Sequence, residues 1–368
     1  MVDSIINKLY NKFSNNEKSN NKLSNDKALK EKVFDDKSLN DKALNEGISN
    51  NAITSIILSE DTKKLIGKLK SRQKILIFRG RENTIYKVKY KQIWYIVKTL
   101  GVNNNERFIY EKIGKHQNIS EYIGYYVMGD RDHLIFPKYE LPDYFTEDDT
   151  LNTNLLTHKQ CKQIIRDTIA GLLYLHNLGY RHGDLKLENI VYDKNTKCYR
   201  LIDLGFSISK EDIKDLDKKD YIGYGTLQYL PPELCLVHGS NPITQQLHYS
   251  IDNPFIKNFT ENQTILNGSE IRKLYKSNIL LENDIWSLGV LIYELFAKCS
   301  PFDTDEMSTD NIIICIWYRN IVNMTAWNSL NDTIKDLLNY LWKINPHDRP
   351  TLQMVNEKYQ DWLNNDDL

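Results

Sequence analysis

One short stretch of the chain places carboxylates, an ammonium group and an amide close together. Asp184, Lys186 and Asn189 lie within six residues, and Asp203 follows fourteen residues after Asn189. Carboxylate and amide oxygens are ligands that Mg²⁺ prefers, and a further carboxylate can orient a hydroxyl and accept its proton. A mobile ammonium group can neutralise charge on a transferring group. This set of residue types suits phosphoryl transfer, in which a protein mainly positions groups and stabilises charge.

The stretches that hold these residues resemble two motifs of the eukaryotic protein kinase family. Residues 182–189 have the letters H-G-D-L-K-L-E-N, similar to H-R-D-L-K-x-x-N, and residues 203–205 have D-L-G, similar to D-F-G. The resemblance implies ATP as cofactor, with Mg²⁺ or alternatively Mn²⁺. It assigns the catalytic roles to Asp184 and Lys186 and metal binding to Asn189 and Asp203.

Two letters depart from the family pattern. Leu204 replaces Phe and keeps an apolar side chain, whereas Gly183 replaces the Arg that in this family binds a phosphate on the activation segment. Gly183 therefore resembles kinases whose activity does not depend on that phosphate. Tyr221 and Tyr224 lie in the corresponding segment, and we expect phosphorylation there to have no large effect, because position 183 offers no cation to receive it.

The H-G-D triplet also resembles small-molecule phosphotransferases that act on aminoglycosides and choline, which is an alternative. Three downstream stretches favour a protein kinase: G-T-L-Q-Y-L-P-P-E at 225–233, D-I-W-S-L-G at 284–289 and P-H-D-R-P-T at 346–351. In that family, the residues matching Glu233 and Arg349 form an ion pair. Three such motifs in the family order are more specific than any one of them.

The substrate class follows from the same resemblance. Lys186, two residues after Asp184, together with Thr226 resembles serine/threonine kinases, in which this Lys and Thr close around the catalytic Asp. The predicted function is therefore transfer of the γ-phosphate of ATP to a serine or threonine hydroxyl of a protein. The oligomeric state and the physiological substrate stay open.

Upstream, short runs of β-branched and aromatic residues predict strands at Ile75–Phe78, Tyr86–Tyr90 and Trp94–Lys98. Lys98 resembles the V-A-I-K lysine, which holds the α- and β-phosphates of ATP and pairs with a Glu on the next helix. Glu106 is the predicted partner, and Glu111 is the alternative.

The phosphate-covering loop is the poorest match to the family. Gly80, Asn83 and Ile85 fall on the second glycine, the third glycine and the valine of G-x-G-x-x-G-x-V. Phe78 occupies the first glycine position, where a side chain limits the approach of the backbone. Ile96 occupies the position of the small Ala that packs on adenine. These departures keep a catalytically weak or silent pseudokinase, acting as a binding scaffold, as an alternative.

Two further elements complete the expected nucleotide site. Residues 132–139 resemble the strand that leads into the interlobe hinge, with Phe136 behind adenine, and the resemblance adds Val191 to the cofactor-binding residues. Apolar residues at helical spacing predict an amphipathic helix over 158–179 that carries the catalytic loop.

The composition agrees with a soluble intracellular protein, most simply a cytoplasmic one. The formal net charge of −1 gives no reason to propose nucleic-acid or membrane binding, and no apolar run approaches the length of a membrane span. The five cysteines are scattered singly, which predicts reduced thiols and no zinc site.

The chain is expected to form a two-lobed α+β kinase domain at 72–365, with the small lobe at 72–136 and the large lobe at 140–365. Residues 1–70 are rich in Asn, Lys, Ser and Asp, which predicts a disordered or loosely helical extension that activity does not require. Residues 236–276 read as a polar surface insertion.

Overall fold

The computed structural model of the chain describes residues 59–80, 83–101, 104–142, 144, 152–209, 211, 225–238, 281–304 and 307–365. Residues 1–58, Tyr221, Tyr224 and most of the predicted insertion lie outside the described residues. The described chain forms an antiparallel sheet followed by a mainly helical region, which confirms the predicted α+β class. Within these ranges, no helix is both long and apolar enough to cross a bilayer.

A five-stranded antiparallel sheet forms the small lobe, with the strand order β1-β2-β3-β5-β4. Its strands are β1 (Ile75–Arg79), β2 (Thr84–Tyr90), β3 (Ile93–Thr99), β4 (Gly124–Met128) and β5 (Arg131–Pro137). Helix α2 (Glu106–Ile113) follows β3 and buries Glu106, Ile109, Tyr110 and Ile113. Each of the first three predicted strands lies inside an observed one.

Successive side chains of each strand point to opposite faces of the sheet, and the two faces have different surroundings. Cross-strand partners share a face, and Ile85 pairs with Lys98, which places both on the inner face. Val88 and Val97 lie on the outer face and are fully buried. Because successive side chains of a strand point to opposite faces, Lys98, which directly follows Val97, points to the inner face.

The outer face is covered by a helix, α1 (Glu60–Lys70), that falls within the predicted extension. Ser59 caps its first turn by accepting a hydrogen bond from the Thr62 amide, and Leu69 is completely buried in a cluster with Val88. The expected boundary near residue 72 therefore differs from the structure, in which the folded part includes α1. The sequence allowed a loose helix in this segment but did not predict its packing on the sheet, because its Lys-rich exposed face resembles the composition of the preceding segment.

This packing makes two truncations behave differently. Removal of residues 1–58 leaves α1 in place, whereas removal of residues 1–70 exposes the apolar cluster that Ile66 and Leu69 cover. We expect the longer deletion to lower the free energy of unfolding, because the buried contacts of two aliphatic side chains are lost. The upper limit of this loss is about 3 to 6 kcal/mol. Chemical denaturation of the two proteins measures this difference, and equal stabilities would show that α1 is dispensable.

The large lobe is mainly helical. Its helices are α3 (His158–Asn177), α4 (Pro232–His238), α5 (Leu281–Ala297), α6 (Thr309–Tyr318), α7 (Met324–Ser329), α8 (Asp332–Leu341) and α9 (Leu352–Asn364). Helix α3 begins at a capping box formed by Thr157 and Gln160 and agrees with the helix predicted at 158–179. Helix α5 forms the centre of the lobe, where Trp286 packs against Phe302 and Trp342.

Two short antiparallel ribbons support the catalytic loop between α3 and the docking stretch. One ribbon pairs β6 (Tyr180–Arg181) with β9 (Ile208–Ser209), and the other pairs β7 (Ile190–Asp193) with β8 (Cys198–Leu201). Residues 182–189 lie between β6 and β7, so both of their ends are held by strand hydrogen bonds. The loop thus has a rigid base on the large lobe.

Candidate active site

Four predicted residues of the catalytic loop and docking stretch form one hydrogen-bonded group. Asp184 Oδ1 accepts hydrogen bonds from the Thr226 amide and from Thr226 Oγ1, both at 2.9 Å. Lys186 Nζ lies 3.0 Å from Asp184 Oδ2 and donates to Thr226 Oγ1 at 2.6 Å. Asn189 Nδ2 donates to the Asp184 backbone oxygen at 2.7 Å. The carboxylate of Asp184 is consequently fixed in one orientation.

A buried carboxylate, Asp284 at the start of α5, binds the backbone of the catalytic loop. Asp284 accepts hydrogen bonds from the amides of His182 and Gly183 at 2.7 and 3.0 Å, and it contacts His176 Nε2 at 2.9 Å. Burial raises its pKa, but the contacts with His176, His182 and Gly183 outweigh burial and hold that pKa below the usual range. Asp284 stays ionised and fixes the loop on α5.

Lys98 links the two lobes through two carboxylates. Its Nζ lies 2.7 Å from Glu106 Oε2 on α2 and 2.8 Å from Asp203 Oδ1 on the large lobe. The structure therefore pairs Lys98 with Glu106, as expected, while Glu111 is turned toward Tyr122 and Arg107. An ammonium held in this way has a defined position from which to contact a polyanion.

The carboxylates that flank Lys98 have different environments. Burial raises the pKa of Glu106 to about 7, and the ammonium of Lys98 opposes this increase. For Asp203, burial also raises the pKa, but Lys98, the Gly205 amide and Lys186 together bring it below its ordinary value. Asp203 is thus anionic near neutral pH, as a metal ligand must be.

The donor atoms near the phosphate position fit a hard divalent cation. Asn189 uses its amide nitrogen toward Asp184, and among the described residues no donor contacts its carbonyl oxygen. Asp203 uses Oδ1 for Lys98 and the Gly205 amide, which leaves Oδ2. The Ile202 amide donates to the Asn189 backbone oxygen at 3.0 Å, which brings the two side chains to neighbouring positions. Carboxylate and amide oxygens are the ligands that Mg²⁺ takes in proteins.

The turn between β1 and β2 differs from a glycine-rich loop. The Gly80 amide donates to the Asn83 backbone oxygen, and Asn83 Oδ1 accepts from the Gly101 amide at 3.2 Å. Phe78 is buried on the inner face, where it pairs with Ile85, and a Cβ at Gly80 would approach its ring to 2.7 Å. Phe78 therefore fills space beneath the turn, in the cross-strand row that continues through Ile85 to Lys98.

The expected adenine side of the cleft is apolar. Ile96 pairs with Phe136 across β3 and β5, and the Phe136 ring contacts the Tyr110 ring edge-on with centroids 5.1 Å apart. Val191 lies on β7 beside the hinge, because Glu140 and Tyr192 exchange two backbone hydrogen bonds. These predicted residues line the junction of the two lobes.

Gly183 occupies a backbone conformation that its letter alone does not reveal. Its φ is +87°, and a Cβ at this position would overlap the Phe206 carbonyl oxygen and lie 3.0 Å from the Phe206 carbonyl carbon. Ser207 Oγ donates to the backbone oxygen of His182 at 2.9 Å, so the segment after the D-L-G motif lies directly on the catalytic loop. Glycine is needed at 183 for both conformation and space.

A buried polar chain ties the docking stretch to the helical core. Arg349 forms a bidentate pair with Glu233, with both N–O distances at 2.7 Å, as the family resemblance implies. The structure adds two residues that sequence reasoning missed: Asn283 donates to Glu233 at 2.7 Å and accepts from the fully buried Arg181 at 2.8 Å. No spacing rule points to Arg181, because its partner lies 102 residues away.

A second buried carboxyl group lies under the docking stretch. Burial raises the pKa of Glu294 to about 8; its bond with Tyr229 opposes this increase, and Glu188 and Asp303 add to it. The unfolded chain has the ordinary pKa of about 4.3, so the folded chain binds this proton more tightly. The contribution of Glu294 to stability is full below about pH 4 and is lost as the pH rises through about 8.

The variant Glu294→Gln tests this pH dependence because glutamine can bond to Tyr229 and cannot ionise. We expect the variant to gain stability relative to wild type at pH 8, by at most about 5 kcal/mol at about 1.4 kcal/mol per pKa unit, and to show little gain at pH 4. Chemical denaturation at the two pH values measures the difference. An equal effect at both values would contradict the proton linkage.

The chain is similar in sequence to a known protein family and to several individual proteins. Residues 80–251 and 271–362 match the family model described as protein kinase domain. The chain is 27% identical over 268 residues to the phosphorylase b kinase gamma catalytic chain, liver/testis isoform, of Bos taurus, which covers 68% of the chain and 52% of that protein.

Two further relatives carry protein kinase names. A calcium/calmodulin-dependent protein kinase, cmkA, of Emericella nidulans is 24% identical over 261 residues, covering 70% of the chain and 53% of the relative. A probable serine/threonine-protein kinase, fnkB, of Dictyostelium discoideum is 37% identical over 102 residues, covering 28% of the chain and 19% of the relative. The chain thus spans about half or less of the length of these relatives.

Proposed function

Because the chain belongs to the protein kinase family, we propose that it transfers the γ-phosphoryl group of ATP to a serine or threonine hydroxyl of a protein. The observation that carries this proposal is the bonded group around Asp184, in which Lys186 and Thr226 hold both oxygens of one carboxylate. Such fixed positioning is the main contribution that a protein makes to phosphoryl transfer.

Each polar residue of the site has a task in this reaction. Asp184 orients the substrate hydroxyl and receives its proton, and Lys186 neutralises charge on the transferring group. Lys98, positioned by Glu106, binds the α- and β-phosphates of ATP. Asn189 and Asp203 would hold Mg²⁺, which supplies neutralisation of phosphate charge when bound.

The serine/threonine assignment rests on Thr226 and on the relatives. Thr226 bonds to both Asp184 and Lys186, the arrangement in which this Lys and Thr close around the catalytic Asp of the serine/threonine kinases that the sequence resembles. One of the relatives named above, fnkB, is named a probable serine/threonine-protein kinase. The buried Glu233–Arg349 pair supports a protein substrate, because it fixes the docking stretch that a small-molecule phosphotransferase does not need.

Two measurements test the proposal. ATP with Mg²⁺ should raise the thermal unfolding midpoint of the purified chain, since a ligand that binds only the folded state stabilises it. γ-Labelled ATP should then phosphorylate a generic basic protein on serine or threonine. A midpoint shift without transfer would support the scaffold alternative, and transfer to a metabolite alone would support the small-molecule alternative.

The ring of Phe78 is expected to weaken ATP binding. It occupies the space beneath the Gly80 turn, so the turn cannot approach phosphates closely. Phe78→Gly should lower the KM for ATP roughly threefold to tenfold, equivalent to about 0.7 to 1.4 kcal/mol. Phe78→Leu, which keeps an apolar side chain, is the control and should leave the KM near the wild-type value. An unchanged or higher KM in the glycine variant would contradict this role.

A further inference from the structure

The small lobe carries a charge that the composition of the whole chain conceals. Residues 59–101 contain twelve lysines and arginines against three carboxylates, a net charge of +9, whereas the complete chain has a formal net charge of −1. A charge asymmetry of this size between parts of one chain indicates an anionic partner for the basic part.

Most of these cations have no acidic partner within the chain that the structure describes. Lys63 pairs with Glu60, and Lys98 pairs with Glu106 and Asp203. For six others, no carboxylate of the described residues lies within ion-pair distance, and we call this group the basic cap: Lys64, Lys68, Lys70, Arg72, Lys74 and Lys91. All of them are exposed except Lys74, which is partly buried.

Four side chains of the basic cap lie over two aromatic rings. Lys70 and Lys74 place their ammonium groups 5.9 and 5.5 Å from the Tyr126 centroid. The His133 ring stacks on one face of Tyr126, so both ammonium groups share the opposite side. Burial lowers the pKa of Lys74 and the charge of Lys70 lowers it further, as expected for like charges held close together.

The other pair lies over Tyr90. Arg72 and Lys91 are 5.1 and 5.5 Å from its centroid. Tyr90 and Tyr126 both pack in the apolar cluster beneath α1, whose exposed side carries Lys64 and Lys68 at i,i+4 spacing. The six charges therefore lie on α1 or beside the two rings of the cluster beneath it, on the outer face of the sheet and away from the proposed active site on the inner face.

We propose that the basic cap binds the phosphodiester backbone of a nucleic acid. Protein–protein interfaces concentrate aromatic and apolar anchors at their centre and are depleted in lysine, whereas protein–nucleic acid interfaces are much more positively charged. Between residues 59 and 74 no large apolar side chain is exposed, whereas Ile75, Leu76, Val127 and Met128 beside the basic cap are 40 to 50% exposed, so the test below includes vesicles and an acidic polypeptide as competing partners.

The same geometry indicates contact with phosphates rather than with bases. Tyr126 is buried and Tyr90 is partly buried, and each is already covered by two cations, so neither ring offers a free face for base stacking. Contacts from lysine and arginine to the backbone are independent of sequence and depend strongly on salt. The basic cap therefore positions the kinase on a polyanion without selecting a sequence.

The test uses the full chain and a fluorescently labelled single-stranded oligonucleotide, with anisotropy measured between about 50 and 200 mM salt. The variant Lys70→Gln/Arg72→Gln/Lys74→Gln/Lys91→Gln should bind at least about tenfold more weakly and lose about 3 units of the salt slope, at about 0.7 per phosphate contact. The control, Lys115→Gln/Lys159→Gln/Lys335→Gln/Lys358→Gln, changes the net charge equally and should keep the wild-type slope. Thermal midpoints of both variants check the fold.

Three results would overturn the proposal. The first is that the wild-type chain fails to bind the oligonucleotide at about 50 mM salt, where backbone contacts are strongest. The second is that both quadruple variants lose affinity equally, which would indicate net charge rather than this surface. The third is that polyglutamate or phosphatidylserine vesicles bind the wild-type chain more tightly than the oligonucleotide does.

Discussion

Asp184→Asn should lower kcat for phosphoryl transfer by a factor of about 10² to 10⁴, the usual contribution of a positioned acid–base group. The amide of asparagine keeps the size of the side chain but cannot receive the proton of the substrate hydroxyl. It also presents an N–H group toward Lys186, which the wild-type carboxylate attracts at 3.0 Å. The affinity for ATP should change little, because the phosphates are assigned to Lys98.

A matched control separates loss of chemistry from loss of folding. Asp193 is also a buried carboxylate of the large lobe, but it pairs with Arg200 on the ribbon behind the catalytic loop, at 2.8 Å. Asp193→Asn should reduce the thermal midpoint and leave kcat per folded molecule near wild type. Radiolabel transfer and thermal unfolding measured on both variants give the comparison; equal turnover by Asp184→Asn and wild type would refute the catalytic assignment.

Gly183→Ala should lower the free energy of unfolding by about 2 to 5 kcal/mol, the sum of left-handed strain and overpacking. At φ +87° an alanine is strained, and its Cβ would overlap the backbone of Phe206. Because the displaced segment begins just after Asp203, we also expect kcat to fall by about 10²-fold, as a misplacement of about 1 Å in an active site does.

Gly179→Ala is the control for the conformational part of this effect. Gly179 has a φ of +81°, close to that of Gly183, but a Cβ there would meet nothing within 4 Å. Its replacement should cost only about 1 to 2 kcal/mol and leave kcat unchanged. Denaturation curves and turnover for the two variants test the distinction. Similar losses at both positions would mean that backbone strain, rather than contact with Phe206, explains the requirement for glycine.

The sequence predicted the parts of the site that depend on local pattern. The three small-lobe strands and the helix at 158–177 follow from residue type and periodicity, and the pairing of Lys98 with Glu106 follows from the family resemblance. The letters of residues 182–189 likewise identified Asp184, Lys186 and Asn189, which are close in sequence, whereas Thr226, 42 residues away, came from the family resemblance.

What the sequence could not predict depends on contacts through space. The need for glycine at 183 comes from the Phe206 backbone, and the role of Arg181 comes from Asn283, which lies on α5. Asn83 matches only the third glycine of the family's loop by position, whereas its side chain accepts a hydrogen bond from the Gly101 amide. The packing of helix α1 could not be predicted because its buried residues, Ile66 and Leu69, contact side chains of the folded sheet.

The position of Lys98 has a consequence for the kinetics of nucleotide entry. Its ammonium has ligands from both lobes, Glu106 and Asp203, so the lobes are joined by one shared cation before any nucleotide arrives. Because Asp203 contacts Lys98 through Oδ1 only, the ion pair also orients Oδ2 of Asp203 for the proposed metal ion. We therefore expect the nucleotide to enter a cleft whose two walls are already joined at Lys98, so that entry needs no closing motion at this point.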